Sequence, residues 1–204
     1  FIHGDDSADS IIELFQWIGL PAVVYVNKLC KVHARVENLQ LIANIMKCME
    51  AKICQVIQRL SKSQGEPPTS FLRDFSLVQF ECIFLESLVN AVGSITRSED
   101  HEGFSMFLRD VTSSRNALAV KYESIMRALT LIGWTEPGFF SKKKRFRNLN
   151  IPLPTTGNLQ DYLYSFEAKR WVKWKDRLPA KDLGAGLSFE DIFVPTVATQ
   201  KASV

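Results

Sequence analysis

Apolar residues recur along this chain at helical spacing, in long runs separated by short polar or proline-containing breaks. Leu29, Val32, Val36, Leu39, Ala43, Met46, Ile53, Ile57 and Leu60 follow a 3-4-3-4 rhythm with one gap at Glu50. That rhythm keeps one face of an α-helix apolar. A second row, Ile42, Ile45, Met49 and Val56, widens the stripe, which suits a helix inside a bundle better than an isolated two-stranded coil. The pattern predicts a helix over about 22–62, stopping at Gly65-Glu66-Pro67-Pro68. Phe71, Phe75, Val78, Cys82, Leu85, Val89 and Val92 predict a second helix over 70–96. Phe104, Leu108, Val111, Leu118, Tyr122, Ile125, Leu129 and Ile132 predict a third over 103–134, with Arg115 in the missing step. Asn158 is a good cap, and Leu159, Tyr162, Leu163, Phe166, Trp171 and Trp174 predict a fourth helix over 158–178. Ahead of all these, Ser10 and Glu13 have capping-box spacing. The short helix they open should bury Ile11, Leu14, Phe15 and Ile18 and end or kink at Gly19 and Pro21.

Long seams joined by short breaks imply antiparallel neighbours. The expected fold is all-α: an elongated antiparallel bundle of four to five helices with an irregular C-terminal tail. It should form a single domain over 1–195, with a basic, proline-containing connector at 137–157 and a loose tail at 196–204. No internal repeat and no alternating strand pattern stands out.

The composition agrees with a real core. The chain has 204 residues, 46% hydrophobic and 23% charged, enough for one full-sized domain. No unbroken apolar run approaches the roughly 18–20 residues that span a bilayer. Cys30, Cys48, Cys54 and Cys82 fall in helical segments, and no Asn-x-Ser/Thr sequon is present. They read as buried free thiols in a reducing compartment, an intracellular setting that is cytoplasmic or nuclear. Secretion stays open, because the chain does not begin with Met.

Charge changes the picture in the C-terminal third. Between Phe139 and Leu178 there are ten Lys/Arg and three Asp/Glu, an excess of +7 in a chain whose total is +3, which leaves −4 for the remainder. Lys142, Lys143, Lys144, Arg145 and Arg147 place five cations within six residues, just before Ile151-Pro152-Leu153-Pro154. Lys169, Arg170, Lys173, Lys175 and Arg177 form a second cluster. Phe139, Phe140, Phe146, Trp171 and Trp174 interleave aromatic rings with these charges. Cations suit phosphates, and rings stack on bases or enter a lipid interface. The same residues also suit a solvated loop anchored by its phenylalanines, with both tryptophans in the core. Lys142 to Arg145 has the bare pattern of a nuclear import signal as well.

Recognisable catalytic motifs are missing. There is no phosphate loop, dinucleotide fingerprint or nucleophile elbow. Gly4-Asp5-Asp6 has no upstream strand or carboxylates to complete a metal site. Cys30 and His33 are spaced to share a helical face, but no second pair completes a zinc site. Glu50, Glu81, Glu86 and Glu123 lack the Glu-x-x-His partners of a di-iron bundle. Glu50 and Arg115 interrupt their seams, and either pair across the bundle or reach water. The expectation is a non-enzymatic helical interaction or assembly module that needs no metal or small-molecule cofactor. Its partner would be another protein or a second copy of itself. The alternative is a binder of anionic polymers or surfaces, as an RNA-associated structural protein or a membrane-surface bundle. In either case the two basic clusters and the five aromatic residues are the candidate contacts.

Overall fold

The computed structural model describes residues 11–33, 36–64, 76–114, 116–134 and 149–177. Within them the protein is all-α apart from one small two-stranded sheet. The chain divides into two compact units, Phe1–Gln160 and Asp161–Val204, where the periodicity suggests a single domain over 1–195. The end of the second helix's lead-in, the basic run at 142–147 and the tail at 196–204 lie outside the described residues.

The first unit opens on a helix that passes through Gly19 and Pro21 without ending. Residues 11–14 are helical, Phe15–Gly19 form a π-turn, and α1 continues over Leu20–Leu29. Pro21 cannot donate a hydrogen bond to the preceding turn, and a π-turn absorbs that mismatch. The Leu20 amide donates to the carbonyl of Phe15, five residues back. Gly19 lets the turn close on the core: a Cβ there would lie 2.7 Å from Phe15 Cδ1 and 3.3 Å from Phe84 Cζ. The two rings meet edge to face, with centroids 4.9 Å apart.

The helix expected over 22–62 is two helices, α1 and α2 (Asn38–Gln64). Cys30 turns extended at the end of α1. The chain then pairs with the end of α3 (Leu77–Ile95) through an isolated bridge between Val32 and Thr96. The His33 amide donates to Ile95 and the Arg97 amide to Lys31, at 2.8 and 3.0 Å. These tertiary backbone bonds replace the helical ones given up at the break. Cys30 and His33 therefore do not share a helical face.

The break also changes which row of α2 is buried. Leu41, Ile45, Met49, Val56 and Ile57 are buried, whereas Leu39 is 78% exposed and Met46 is 43% exposed. The core stripe thus follows mainly the second row. Glu50 is exposed, so its charge is solvated. Arg115 lies outside the described residues. The side chain of Leu60 does too.

α2 packs along α3, the most enclosed helix of the unit. Every residue from Glu81 to Val89 is buried. By length and composition α3 could cross a membrane, but most of that stretch is buried inside the structure, as befits a core helix. It starts at a full capping box: the Ser76 hydroxyl accepts from the Gln79 amide while the Gln79 side chain accepts from the Ser76 amide. A 3₁₀ turn, Ser98–Asp100, leads into α4 (His101–Ser113). The third expected helix is broken into α4, α5 (Ala117–Lys121) and α6 (Glu123–Leu131). Its seam still faces inward: Phe104, Leu108, Val111, Leu118, Ile125 and Leu129 are buried, and only its last member, Ile132, is exposed. α1 packs against α4 and α6. The Tyr25 ring stacks on Phe107 at 4.2 Å, and Tyr122 meets Phe107 edge-on at 4.9 Å.

The second unit corrects the fourth expected helix. Residues 158–178 do not form one long helix. A 3₁₀ turn, Leu159–Asp161, is followed by β1 (Tyr162–Ser165), β2 (Arg170–Lys173) and a further 3₁₀ turn, Trp174–Arg177. The strands pair antiparallel, with Tyr162 opposite Lys173 and Tyr164 opposite Trp171. Aromatic and β-branched residues favour a pleated surface. Cross-strand contacts add to that preference: Tyr164 packs edge-on to Trp171 at 5.7 Å, and Lys173 Nζ lies 5.7 Å from the Tyr162 ring centre. The turn closes with Lys169 at φ 51° and the Ala168 amide donating to the Ser165 hydroxyl.

Candidate functional site

Two polar side chains buried in the first unit, Glu81 and Ser105, and the half-buried Arg109 converge on one segment, the proline-containing strap at 149–160. An extended chain cannot satisfy its own amides and carbonyls, so a strap crossing a helical surface needs partners from that surface. Ile151-Pro152-Leu153-Pro154 lies across the body, with Leu153 buried, and three side chains from α3 and α4 hold the strap.

Glu81 of α3 is fully buried. Its Oε1 accepts from the Asn150 amide at 2.8 Å and its Oε2 from Asn150 Nδ2 at 3.1 Å. Burial pushes its carboxyl above the usual carboxylate range, against the opposing effect of hydrogen bonds from Asn150 and the Ile151 amide. Arg109 of α4 reaches the other end of the strap. Its Nε donates to the Pro154 carbonyl at 2.6 Å, and one Nη donates to Gly157 at 2.5 Å and Thr156 at 3.4 Å. Gly157 sits at φ 70°, a left-handed turn that glycine adopts without strain. Ser105, also on α4 and buried, accepts from the Leu159 amide at 2.9 Å and donates back to the His101 carbonyl at 2.7 Å. Gln160 then packs so closely on α3 that a Cβ at Gly93 would lie 3.0 Å from its Cγ.

A second buried charge on α3 faces the opposite partner. Lys52 of α2 meets Glu86 at 2.6 Å, with side chains only 13% and 2% exposed. At the rim of α4, Asp110 accepts from Lys121 Nζ at 2.6 Å and from the Tyr122 hydroxyl at 2.8 Å. Desolvation would raise its pKa, but these donors outweigh it and hold the carboxyl below its usual value. Burial, and after it the same contact with Asp110, pushes the Tyr122 hydroxyl upward. None of the four cysteines forms a disulfide: Cys82 is buried, Cys30 and Cys48 are half-buried, and Cys54 is exposed rather than internal. Among the described residues no group of three or more His, Cys, Asp or Glu could hold a metal ion.

The candidates from the basic third divide in two. Lys142, Lys143, Lys144, Arg145, Arg147, Phe139, Phe140 and Phe146 lie outside the described residues. Lys169, Arg170, Lys173, Lys175, Trp171 and Trp174 fall on the hairpin and the turn after it, not on a helix. Lys169, Arg170 and Lys175 are exposed, Trp171 and Lys173 are half-buried, and Trp174 is buried. The Arg177 side chain is outside the description.

The strap, the helices that hold it and the hairpin all fall within the stretch matched by one family. The family model for the dynein heavy chain AAA lid domain matches residues 11–176. The chain belongs to this family. Among curated proteins the lid is similar to dynein axonemal heavy chain 12 of Rattus norvegicus, at 25% identity over 190 residues, covering 92% of this chain and 5% of that protein. The Mus musculus protein of the same name is also 25% identical, over 191 residues, with the same coverage. The chain thus spans about 5% of the length of the curated relatives it matches. No solved structure matches it significantly.

The residues that hold this lid's strap are not the ones that stand out in the sequence. Glu81 and Glu86 do carry a signal, since each interrupts the apolar run Phe80 to Val89. Arg109 and Ser105 carry none, because their partners are backbone groups that any residue provides.

Proposed function

We propose that the chain works as a non-catalytic AAA lid within a longer dynein heavy chain, acting through protein–protein contacts. The family match over residues 11–176 carries this reading, because it takes in the helical body, the strap and the hairpin together. The sequence supports it: no phosphate loop or other nucleotide fingerprint is present. Nucleotide chemistry would belong to other parts of the heavy chain, and the lid would contribute surface and rigidity. Its partners would be neighbouring segments of the same heavy chain or other dynein components. The names of the relatives place them in axonemes, and the same setting is proposed here. The family relationship lends no support to the alternative of a nucleic-acid or membrane binder.

Calorimetry and a phosphate-release assay on the purified chain test the non-catalytic part. The expected result is no measurable binding of magnesium ATP and no turnover. Either activity would overturn it. Cross-linking of a heavy chain containing this segment tests the contact part. Cross-links from residues 11–176 should land on other heavy-chain segments. Cross-links confined within the segment would count against an interaction role.

A further inference from the structure

Two observations in the second unit point to a binding edge that the lid reading does not assign. All four residues of β1 are buried, whereas none of the four residues of β2 is. β1 is therefore the enclosed strand and β2 the more exposed one. Among the described residues β2 pairs only with β1, so its far edge presents backbone donors and acceptors without a strand partner. Such an edge is a template for strand addition.

The second observation is chemical. The edge and its flanks carry Lys169, Arg170, Lys173 and Lys175 against the acidic Glu167 and Asp176, an excess of two positive charges. In the hairpin and the turn after it the indole N–H groups of Trp171 and Trp174 are buried without an acceptor among the described residues, and Trp174 is only 4% exposed. Buried donors left without acceptors are costly and uncommon. The cations ask for negative charge and the open edge asks for backbone partners, which an acidic extended peptide supplies at once. Edge lysines also discourage pairing between like edges. That excludes a second copy of this edge while leaving an acidic strand favoured.

We propose that the outer edge of β2 docks an extended acidic segment of a protein partner as a third strand. The test uses the full chain and a capped eight-residue peptide alternating glutamate with valine, read by titration and by amide hydrogen exchange. The peptide should slow exchange at 170–173. Its affinity should fall about tenfold or more when glutamine replaces glutamate, when a central proline is introduced, or in the Arg170→Glu/Lys175→Glu variant. Circular dichroism of that variant should match the parent, since both side chains are exposed. Unchanged exchange at 170–173 would overturn the proposal. So would full binding of the proline peptide, which would reduce the surface to a charge patch. Equal binding of a single-stranded oligonucleotide or of anionic lipid vesicles would overturn it in favour of a phosphate ligand.

Discussion

α3 is held on two sides by different physics. Along α2 it meets a row of apolar side chains, Leu41, Ile45, Met49 and Val56, with one ion pair, Lys52–Glu86, set among them. Against the strap its Glu81 meets neutral donors, the amide and side chain of Asn150. Area removed from water is non-directional and scales with size. Hydrogen bonds to a strap contribute less in net, but they fix its position atom by atom. The helical seam should therefore set whether the unit folds, and the strap contacts should set where the strap lies.

The largest effect tests the seam. Ile45→Ala removes a fully buried side chain and should cost about 2–5 kcal/mol in urea unfolding. A loss below about 1 kcal/mol would show that the α2–α3 seam is not the main source of stability.

Next comes the ion pair inside that seam. Lys52→Met leaves Glu86 without its cation in a buried position and should cost about 3 kcal/mol. Adding Glu86→Leu should restore most of that, because two well-packed apolar side chains replace a desolvated pair. If the double variant is no more stable than the single one, lost packing rather than uncompensated charge is the cause.

The strap should respond differently. Arg109→Ala removes donors to the carbonyls of Pro154, Thr156 and Gly157 and should cost about 1.5–3 kcal/mol. The loss should be local: amide exchange should quicken in 150–159, while α2 and α3 keep their protection. A uniform loss of protection across all helices would mean that the strap is part of the cooperative core.

How much of this was legible beforehand depends on which partner a side chain uses. Helix against helix was readable. Among the described residues, Cys82, Leu85, Val89 and Val92 of the second seam and six of the eight residues of the third are buried as their spacing selects, because apolar periodicity reports directly on a buried face. The α2 stripe was legible only in part. A continuous heptad through Cys30 and Val32 carries Leu39 and Met46 as core, but a tertiary bridge to Thr96 breaks the helix there and rotates the buried face. The hairpin was hidden because Tyr162, Leu163 and Phe166 fit a helical period while Tyr162, Tyr164, Trp171 and Lys173 fit a strand. Its turn, Phe166 to Lys169, lacks the glycine or asparagine that normally marks one. The strap's anchors were the least legible, since Arg109 and Ser105 bind backbone and the backbone has no sequence signature.

The smallest effect is also the one that most directly separates the two sides of α3. Burial holds the Glu81 carboxyl above its ordinary value of 4.5. A raised carboxyl pKa means that the folded state holds this proton more tightly than the unfolded chain does. The stabilising contribution is fully present below about pH 4.5 and is lost as pH rises through the folded value. Glu81→Gln removes the titration and keeps an acceptor for the Asn150 amide, while the Asn150 side-chain amide can turn to offer its oxygen to the new Nε2–H. The variant should therefore compare best with the parent near pH 7, and the parent should gain on it as pH falls toward 4.5. Paired urea midpoints at the two pH values check this. If the parent instead loses ground on acidification, the hydrogen bonds from Asn150 and Ile151 outweigh burial, and the strap side of α3 treats its carboxylate as the α2 side does, as a charge worth keeping.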